Sequence, residues 1–259
     1  MNVPIRMIGL ATTFFWIFLI AFTATVAYSA KDLQFSFGEL QVGGASHNNL
    51  VLSLPIGVVN QGYYDIDAFN ISTYITDVDG FRITHGSTLT PVIAKGDNIT
   101  IYHNVTLNID RLLRHGRNYL LNDTTMNINE SVSMRLANFI PVQASANFSL
   151  PWGAPLYNFA LGDPTYSPYN MTHFSVVVPI NFENHASFDV VGSVQVSMYN
   201  DTDVQTGTGQ TTIDAVQHSP FNGLLEFYVQ MSDVTPTGRF EVNFQTSLFD
   251  YGPMVIPYG

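Results

Sequence analysis

The hydrophobic pattern divides the chain into one continuous apolar stretch and a long region in which apolar and polar positions alternate. From Met7 to Tyr28 the chain carries no charged residue. About 20 apolar residues, at 1.5 Å rise each, span a hydrocarbon core of about 30 Å. Residues 7–28 are therefore predicted to form an uncleaved transmembrane helix, and Arg6 favours residues 1–6 on the cytoplasmic side.

A cleaved signal peptide is the alternative for the same stretch. Its apolar region normally runs over only about 7–15 residues, which is shorter than the stretch found here. The small residues Thr25 and Ala27 would permit cleavage after Ala27. The length of the stretch favours the membrane anchor.

Beyond the apolar stretch, hydrophobic residues recur at every second position. Between Ile99 and Ile109, and again between Arg239 and Thr246, apolar residues alternate with polar ones. A period of two is typical of a strand with one buried face. Because several such strands are separated by Asp-Gly and similar turns, we predict an all-β chain of antiparallel β-sandwiches of the fibronectin III or immunoglobulin type.

One sequence unit occurs twice. The segment LPIGVVNQGYYDID, which begins at Leu54, returns 124 positions later as VPINFENHASFDVV, which begins at Val178. The final segments of the two units, 148–153 and 254–259, correspond at a shorter offset of 106, which leaves an insertion of 18 residues in the first unit. The repeat predicts two tandem domains, at 31–153 and 154–259.

The insertion differs from the rest of the chain in its pattern. Residues 110–122 read DRLLRHGRNYLLN, and Asp110 can cap a first helical turn, so a short helix is predicted there. Arg111, Arg114 and Arg117 share one face at a spacing of three. They are candidates for contact with an acidic partner or an anionic surface, and a simply solvated helix face is the alternative.

The repeated unit resembles the late-embryogenesis-abundant group 2 domain, also called the water-stress and hypersensitive-response (WHy) domain. The resemblance rests on an alternating strand that ends in asparagine, Leu52–Asn60 and Val176–Asn184, followed by a glycine-containing turn with Gly80 and Gly86 in the first unit and Gly207 in the second. The family's usual Asn-Pro-Asn is replaced by Asn60-Gln-Gly and Asn184-His-Ala. The resemblance implies a fibronectin-III-like sandwich and no catalytic residues.

Charge and composition narrow the classes of partner. The formal net charge is −11, which disfavours nucleic acid, and no cysteine is present, so disulfides and thiolate sites are excluded. A cysteine-free, lightly charged surface is typical of prokaryotic, in particular archaeal, surface proteins. Eight N-x-S/T triplets follow the apolar stretch and are candidate glycosylation sites: Asn70, Asn98, Asn104, Asn122, Asn129, Asn147, Asn170 and Asn200.

No catalytic, cofactor-binding or metal-binding site is expected, because no motif with the required residues and spacing occurs. His103 lies on the apolar face of its strand and aligns with Phe227 at the 124-residue offset, which predicts a core position of aromatic size. At the same offset Asp77 and Asp79 align with Asp201 and Asp203. Calcium takes about six to eight oxygen ligands, so these residues are interpreted as hairpin turns.

The C-terminal segment supplies the second group of interaction candidates. Tyr251, Met254 and Tyr258 belong to an apolar, aromatic strand that corresponds to the end of the first domain. They are expected either to fill the strand's core face or to dock the outer end of the second domain on another subunit. Aromatic residues and methionine are enriched at such contacts.

Together these features predict a single-pass protein of the cell membrane with extracellular C-terminal domains. Its expected role is that of a structural or interaction protein in an envelope or surface assembly. Its expected partners are the lipid bilayer, through residues 7–28, and other surface or membrane proteins, a second copy included. An accessory or ligand-binding subunit of a membrane complex and a surface-filament subunit are the alternatives.

Overall fold

The computed structural model describes residues 3–46, 48–113 and 119–259. Helix α1, Val3–Ala30, begins the chain, and its segment Thr12–Ala30 is long and apolar enough to cross a membrane. The strands that follow are β1 Leu33–Phe37, β2 Gln41–Ser46, β3 Asn49–Asn60, β4 Ile66–Thr76, β5 Arg82–Ile93, β6 Asn98–Asn108, β7 Thr124–Leu136 and β8 Ile140–Trp152, with helix α2, Ile109–Leu113, between β6 and β7.

A second set of eight strands repeats this order. They are β9 Tyr157–Leu161, β10 Thr165–Pro168, β11 His173–Asn184, β12 Val190–Asn200, β13 Gln205–Ala215, β14 Ser219–Gln230, β15 Gly238–Thr246 and β16 Asp250–Tyr258, with a 3₁₀ turn at Met231–Asp233.

Each set forms two antiparallel four-stranded sheets. In the first sandwich β3 pairs with β1, β2 and β6, and the other sheet has the order β5-β4-β7-β8. In the second sandwich β11 pairs with β9, β10 and β14, and the other sheet has the order β13-β12-β15-β16. The pairing scheme therefore repeats, and the prediction of an all-β chain of antiparallel sandwiches after one N-terminal helix is confirmed.

The two halves do not correspond at one constant offset. Leu54 pairs with His103, and its counterpart Val178 pairs with Leu225, so His103 corresponds to Leu225 and not to Phe227 as the sequence suggested. The first shift arises in β4, where Ala68 has a positive φ of 48° and the register with β7 is broken. The second arises within β5, where the offset falls from 123 at Gly86 and Gly209 to 122 at Ile93 and Ala215.

Of the helix predicted over 110–122, the structure describes a first part, α2, and a turn at 119–121, while residues 114–118 lie outside the described ranges. Helix α2 ends at Leu113, and Tyr119 and Leu120 lie fully buried in a turn. Their backbone carbonyls accept hydrogen bonds from the Trp152 indole N–H (2.9 Å) and the Leu156 N–H (2.8 Å). The first bond ties the segment to the end of β8, and the second ties it to the beginning of the second domain.

The corner between the third and fourth strands of each sandwich is held by a fully buried asparagine. The Asn60 amide donates to the carbonyls of Tyr64 (3.0 Å) and Ile93 (3.1 Å) and accepts from the Gly62 N–H. Its counterpart Asn184 donates to Phe188 (2.9 Å) and Ala215 (3.0 Å) and accepts from the Ala186 N–H; both asparagines are fully buried. One side chain thus satisfies three backbone groups that water cannot reach.

The first prediction concerns this corner. Asn184→Ala leaves two buried carbonyls and one N–H without a partner, so we expect a loss of about 3 kcal/mol of unfolding free energy. Urea unfolding monitored by the fluorescence of the nearby Trp152 measures it. Asn222→Ala, at an exposed position on β14, is the control and should change stability by no more than about 0.5 kcal/mol. A loss below about 1 kcal/mol for Asn184→Ala would show that the corner does not depend on this amide.

Candidate functional site

A layer of polar side chains crosses the core of the first sandwich. His103 is buried, its Nε2 lies 2.8 Å from Thr73 Oγ1, and its Nδ1 lies 2.8 Å from Thr88 Oγ1. Thr73 also hydrogen-bonds the Glu130 carboxylate, its neighbour on β7. Apolar core residues lie on both sides of this layer, with Ile71 and Ile101 toward the helix and Ile75 and Val105 toward the second sandwich.

The carboxylate is the least satisfied member of the layer. Within the part of the chain that the structure describes, Glu130 Oε1 is buried and has no hydrogen-bond partner. Burial raises the pKa of Glu130 above its usual value, and the hydrogen bond from Thr73 offsets this only in part. Burial lowers the pKa of His103, which favours the neutral imidazole. A buried, incompletely bonded acid costs stability, so its presence points to a functional role.

At the positions equivalent to this polar layer, the second sandwich has apolar residues. The strand pairings place Val196, Val242 and Met254 where the first sandwich has Thr73, Glu130 and Ala146. Leu225 stands at the position of His103. The fold therefore accepts an entirely apolar layer there, and the polar layer of the first sandwich is a departure from the repeat.

A cavity of about 130 Å³ opens beside the polar layer. Its walls are almost entirely apolar, and Glu130 is the one carboxylate among its lining residues. Thr73, His103 and Glu130 line one end, and Leu40, Phe148 and Leu150 reach it from the edges of the two sheets. This arrangement suits an apolar group that brings one hydrogen-bond donor.

The junction between the sandwiches has its own polar contact. His185 follows the corner asparagine of the second sandwich, and its Nδ1 lies 2.8 Å from Asp123 Oδ2 of the inserted segment. Its Nε2 lies 3.0 Å from Glu183 Oε2, and its ring stacks on Tyr157 at 4.2 Å between centroids. Asp123 also accepts the Ala154 N–H at 2.8 Å, which fixes the linker between the domains.

The pKa shifts of His185 and Asp123 define the pH range in which their contact stabilises the fold. Hydrogen bonds to Asp123 and then Glu183 raise the pKa of His185, although burial opposes this. Burial alone would raise the pKa of Asp123, but hydrogen bonds from the Ala154 N–H and from His185 lower it. The histidine contribution is complete below the ordinary histidine pKa and is lost as pH rises through the raised value. The aspartate contribution is complete above the ordinary aspartate pKa and is lost as pH falls through the lowered value.

The end of the first sandwich that contacts α1 is formed by the Asn60 corner. This corner is equivalent to the Asn184 corner, which forms the junction in the second sandwich. Val26 and Ser29 of α1 are buried, Ser29 Oγ accepts the Tyr63 N–H at 2.7 Å, and Thr25 Oγ1 lies 2.9 Å from the Tyr64 hydroxyl. Gly62 allows this approach, because a Cβ there would lie 2.4 Å from Ser29 Oγ. Helix α1 therefore packs directly on the sandwich.

The aspartate turns are paired differently from the sequence alignment. Asp77 corresponds to Asn200 and not to Asp201, since each accepts two N–H groups of its own hairpin turn, those of Asp79 and Phe81 and those of Thr202 and Val204. The β4 bulge causes this shift by one. Asp203 forms an ion pair with Arg239. Over the described ranges no group of three or more potential metal-ligating His, Cys, Asp or Glu residues occurs.

The described interaction candidates differ in their surroundings. Arg111 is exposed on α2, with its guanidinium 5.9 Å from the Phe81 ring centroid, and Arg114 and Arg117 lie outside the described residues. Tyr251 lines a groove with Asn48 and Asp110 of the first sandwich, so it lies near the junction and not at the outer end of the second domain. Met254 and Tyr258 pack against the core, and the Tyr258 hydroxyl donates to the Tyr199 carbonyl at 3.0 Å.

The eight sequon asparagines differ in accessibility. Asn98, Asn104, Asn122, Asn129, Asn147 and Asn170 are exposed, and Asn70 is half-buried between Ser72 and Ser87. Asn200 is buried, and its amide donates to the Asp233 carbonyl while its Oδ1 caps a turn.

Sequence reasoning singled out His103 but assigned it a space-filling role, and it missed Glu130 and Thr73. Glu130 looked like one more polar residue in an alternating strand. The signal was available: Glu130 occupies an even-numbered position of 126–136, and its even-numbered neighbours Met126, Ile128, Val132, Met134 and Leu136 are all apolar.

Comparisons with known proteins do not identify the chain. No family model matches it, and no curated protein matches it. The ApaA protein from Bordetella pertussis is 16% identical over 46% of this chain and 92% of its own, with a TM-score of 0.31. A red sea bream transglutaminase is 14% identical over 88% and 31%, with a TM-score of 0.30. A glycosyl hydrolase family 2 member from Bacteroides cellulosilyticus is 9% identical over 81% and 28%, with a TM-score of 0.35. These TM-scores carry no argument about function.

The second prediction tests the junction. In the wild-type chain the His185 imidazole should titrate above the ordinary histidine pKa, and Asp123→Asn should lower its pKa because the largest favourable contact is lost. NMR of the His185 imidazole signals measures both. Equal His185 titration in the two proteins would rule out the contact as the cause.

The third prediction concerns the sequons. Asn200 should stay unmodified in native material, because its amide is buried and hydrogen-bonded. Asn170 is the matched control, since its Oδ1 caps a similar turn through the Thr172 N–H but the residue lies exposed. Peptide mass spectrometry before and after deglycosylation compares the two sites. A glycan on Asn200 would contradict the burial argument.

Proposed function

We propose that this chain is a membrane-anchored structural or interaction protein of the cell surface. Its α1 helix crosses the bilayer once, and its two sandwiches extend outside the cell as a stiff ectodomain within an envelope or surface assembly. The resemblance to late-embryogenesis-abundant group 2 domains agrees with a non-catalytic role and stays a prediction.

The observation that carries this proposal is the direct docking of α1 on the first sandwich. Phe22, Val26 and Ala30 pack with Leu33 and Ile140 in the core cluster at that end of the sandwich. Removal of the helix at a signal-peptide site near Ala27 would take Phe22 and Val26 out of this cluster and expose its apolar neighbours. The packing thus supports a helix that stays attached.

The end of the first sandwich that contacts α1 also carries residue types that are typical of the membrane–water interface. Tyr28 and Tyr63 are exposed and stacked at 6.1 Å, and the Lys31 ammonium lies 3.5 Å from the Tyr28 ring centroid. Tyrosine and lysine at the end of an apolar helix are typical of the headgroup region. This supports a first sandwich that rests on the bilayer surface.

A second candidate function is an accessory ectodomain that binds a small ligand for a membrane complex. The cavity of about 130 Å³ beside Glu130 favours it, because an apolar pocket with one unsatisfied polar group is typical of a ligand site. The open edge of the same sandwich, described below, favours a protein partner instead.

The fourth prediction tests the anchor. Native protein from membranes should keep residues 7–28 by intact mass and should resist extraction with alkaline carbonate. Ile17→Arg places a charge within the apolar helix, which opposes insertion by about 2.5–3.5 kcal/mol and should move protein to the soluble fraction. Phe139→Arg, on the exposed surface of the first sandwich, is the control and should stay in the membrane fraction.

A mature N-terminus between Tyr28 and Lys31 would contradict the anchor and leave a secreted protein. An Ile17→Arg protein that stays fully in the membrane fraction would also contradict it.

A further inference from the structure

Strand β8 offers a long free edge. It lies at the end of its sheet and pairs with β7 from Thr124 to Leu136 without any register shift. Among the described strands no other pairs with it, and its 13 residues include no charged side chain. Natural sheets usually protect such edges with charges, bulges or short strands, because an open edge pairs readily with another strand.

The inner face of this strand is apolar and uncovered. Its even-numbered positions are all apolar, and its odd-numbered positions are polar or proline: inner Ile140, Val142, Ala144, Ala146, Phe148, Leu150 and Trp152, outer Pro141, Gln143, Ser145, Asn147, Ser149 and Pro151. Val142, Ala144, Ala146 and Phe148 are nevertheless exposed, Phe148 to 50%. A strand with an inner apolar row normally has that row buried by the opposite sheet.

The edge of the opposite sheet also exposes apolar side chains. Phe37, Leu40 and Val42 are exposed, Phe37 to 62%. Leu40 and Phe148 line the same cavity, so the two apolar rows flank one opening between the sheets. We call this opening the slot; Phe37, Leu40 and Val42 form one wall, and Val142, Ala146 and Phe148 form the other.

The second sandwich closes the equivalent opening with its own side chains. Phe159 and Leu161 of β9, together with Met254 and Ile256 of β16, are partly buried against the core. At the level of Glu130, the large Met254 replaces the small Ala146. The slot therefore belongs to the first sandwich alone and is not a necessary consequence of the fold.

The chemistry of the slot fits an added β-strand. A strand would pair with the free backbone of β8 between Pro141 and Pro151 and would place every second side chain between the walls. A small apolar ligand could fill the cavity but would leave that backbone edge unpaired. Glu130 Oε1, buried and without a partner in the described structure, lies opposite Ala146 and would receive one donor from the strand.

A second copy of this chain is a poor source for such a strand. All the strands that the structure describes are already paired within their own sheets. Antiparallel pairing of β8 with β8 of a second copy would point the two α1 helices in opposite directions, which conflicts with a shared membrane.

We propose that the slot binds an extended segment of a different protein as an additional strand along β8, with alternating apolar side chains and a lysine directed at Glu130. This inference rests on the proposed function in one respect, since it names the chemistry of the partner of the interaction ectodomain. Burial raises the pKa of Glu130, and a bound ammonium group would reverse that shift.

The test uses the full chain in detergent micelles and a synthetic peptide as the probe. The probe is N-acetylated and C-amidated Thr-Val-Thr-Val-Thr-Lys-Thr-Val-Thr, in which valine and lysine share one face. A second peptide replaces lysine with norleucine, and a third has the composition of the first in an order without alternation. Fluorescence anisotropy gives the affinity, and hydrogen exchange of residues 142–150 locates the contact.

Three variants test which residues of the slot determine the affinity for the peptide. Ala146→Met inserts the side chain that closes the second sandwich at this level and should weaken binding at least about tenfold without unfolding the domain. Ser145→Gln changes the neighbouring outward position and should leave binding unchanged. Glu130→Gln should weaken the lysine peptide about fivefold or more, because a charge-assisted hydrogen bond is lost, and should not weaken the norleucine peptide.

Support requires binding of the lysine peptide, slower exchange in β8 and the stated order of the variants. No binding, binding that Ser145→Gln and Ala146→Met weaken equally, or self-association that Ala146→Met abolishes would overturn the proposal. The result is independent of the anchor test: a membrane-inserted chain that binds no peptide refutes only the slot, and a chain with a cleaved helix that binds the peptide refutes only the anchor.

Discussion

The buried asparagine at each β3–β4-type corner is the constraint on which the architecture depends. Asn60 and Asn184 each satisfy three backbone groups in a water-free corner, and so they permit a tight, apolar end to the sandwich. In both halves the corner contacts the element that precedes it in the chain. For the first sandwich that element is α1, and for the second it is the inserted segment and the end of β8. The repeated corner thus gives each sandwich the same kind of contact with the element that precedes it.

Unlike the corner, the polar layer occurs in the first sandwich and is not repeated in the second. Val196, Val242 and Leu225 demonstrate that the same backbone can hold an apolar layer. Thr73, Glu130 and His103 instead place a carboxylate in a site where its charged form is penalised. Stability alone would favour the apolar version. The layer lies beside the least covered part of the sandwich, so the energetic cost and the exposed apolar surface occur in one place.

The sequence predicts much of the fold because periodicity and repetition are local signals. The alternation around Ile101 and Phe244 indicates strands, and the return of the Leu54 segment at Val178 indicates a duplicated sandwich. The candidate site was mostly missed, because it depends on register. The bulge at Ala68 and a further one-residue shift within β5 move His103 from the level of Phe227 to that of Leu225, and neither can be seen in a gapless alignment. The uncovered row on β8 appears only when both sheets are in place.

If α1 spans a bilayer as we propose, its docking would also determine how the two sandwiches respond to that bilayer. Ser29, Val26 and Thr25 hold the helix to the Tyr63–Tyr64 corner, so no flexible joint separates them. Helices adapt to bilayer thickness by tilting, on average by about 20°. Two sandwiches with strands of about 12 residues extend roughly 80 Å if stacked end to end, at about 3.3 Å per residue. In a bilayer, such a tilt would act through this length as a lever and displace the far end by roughly 25–30 Å, so lipid thickness would set where the second sandwich reaches.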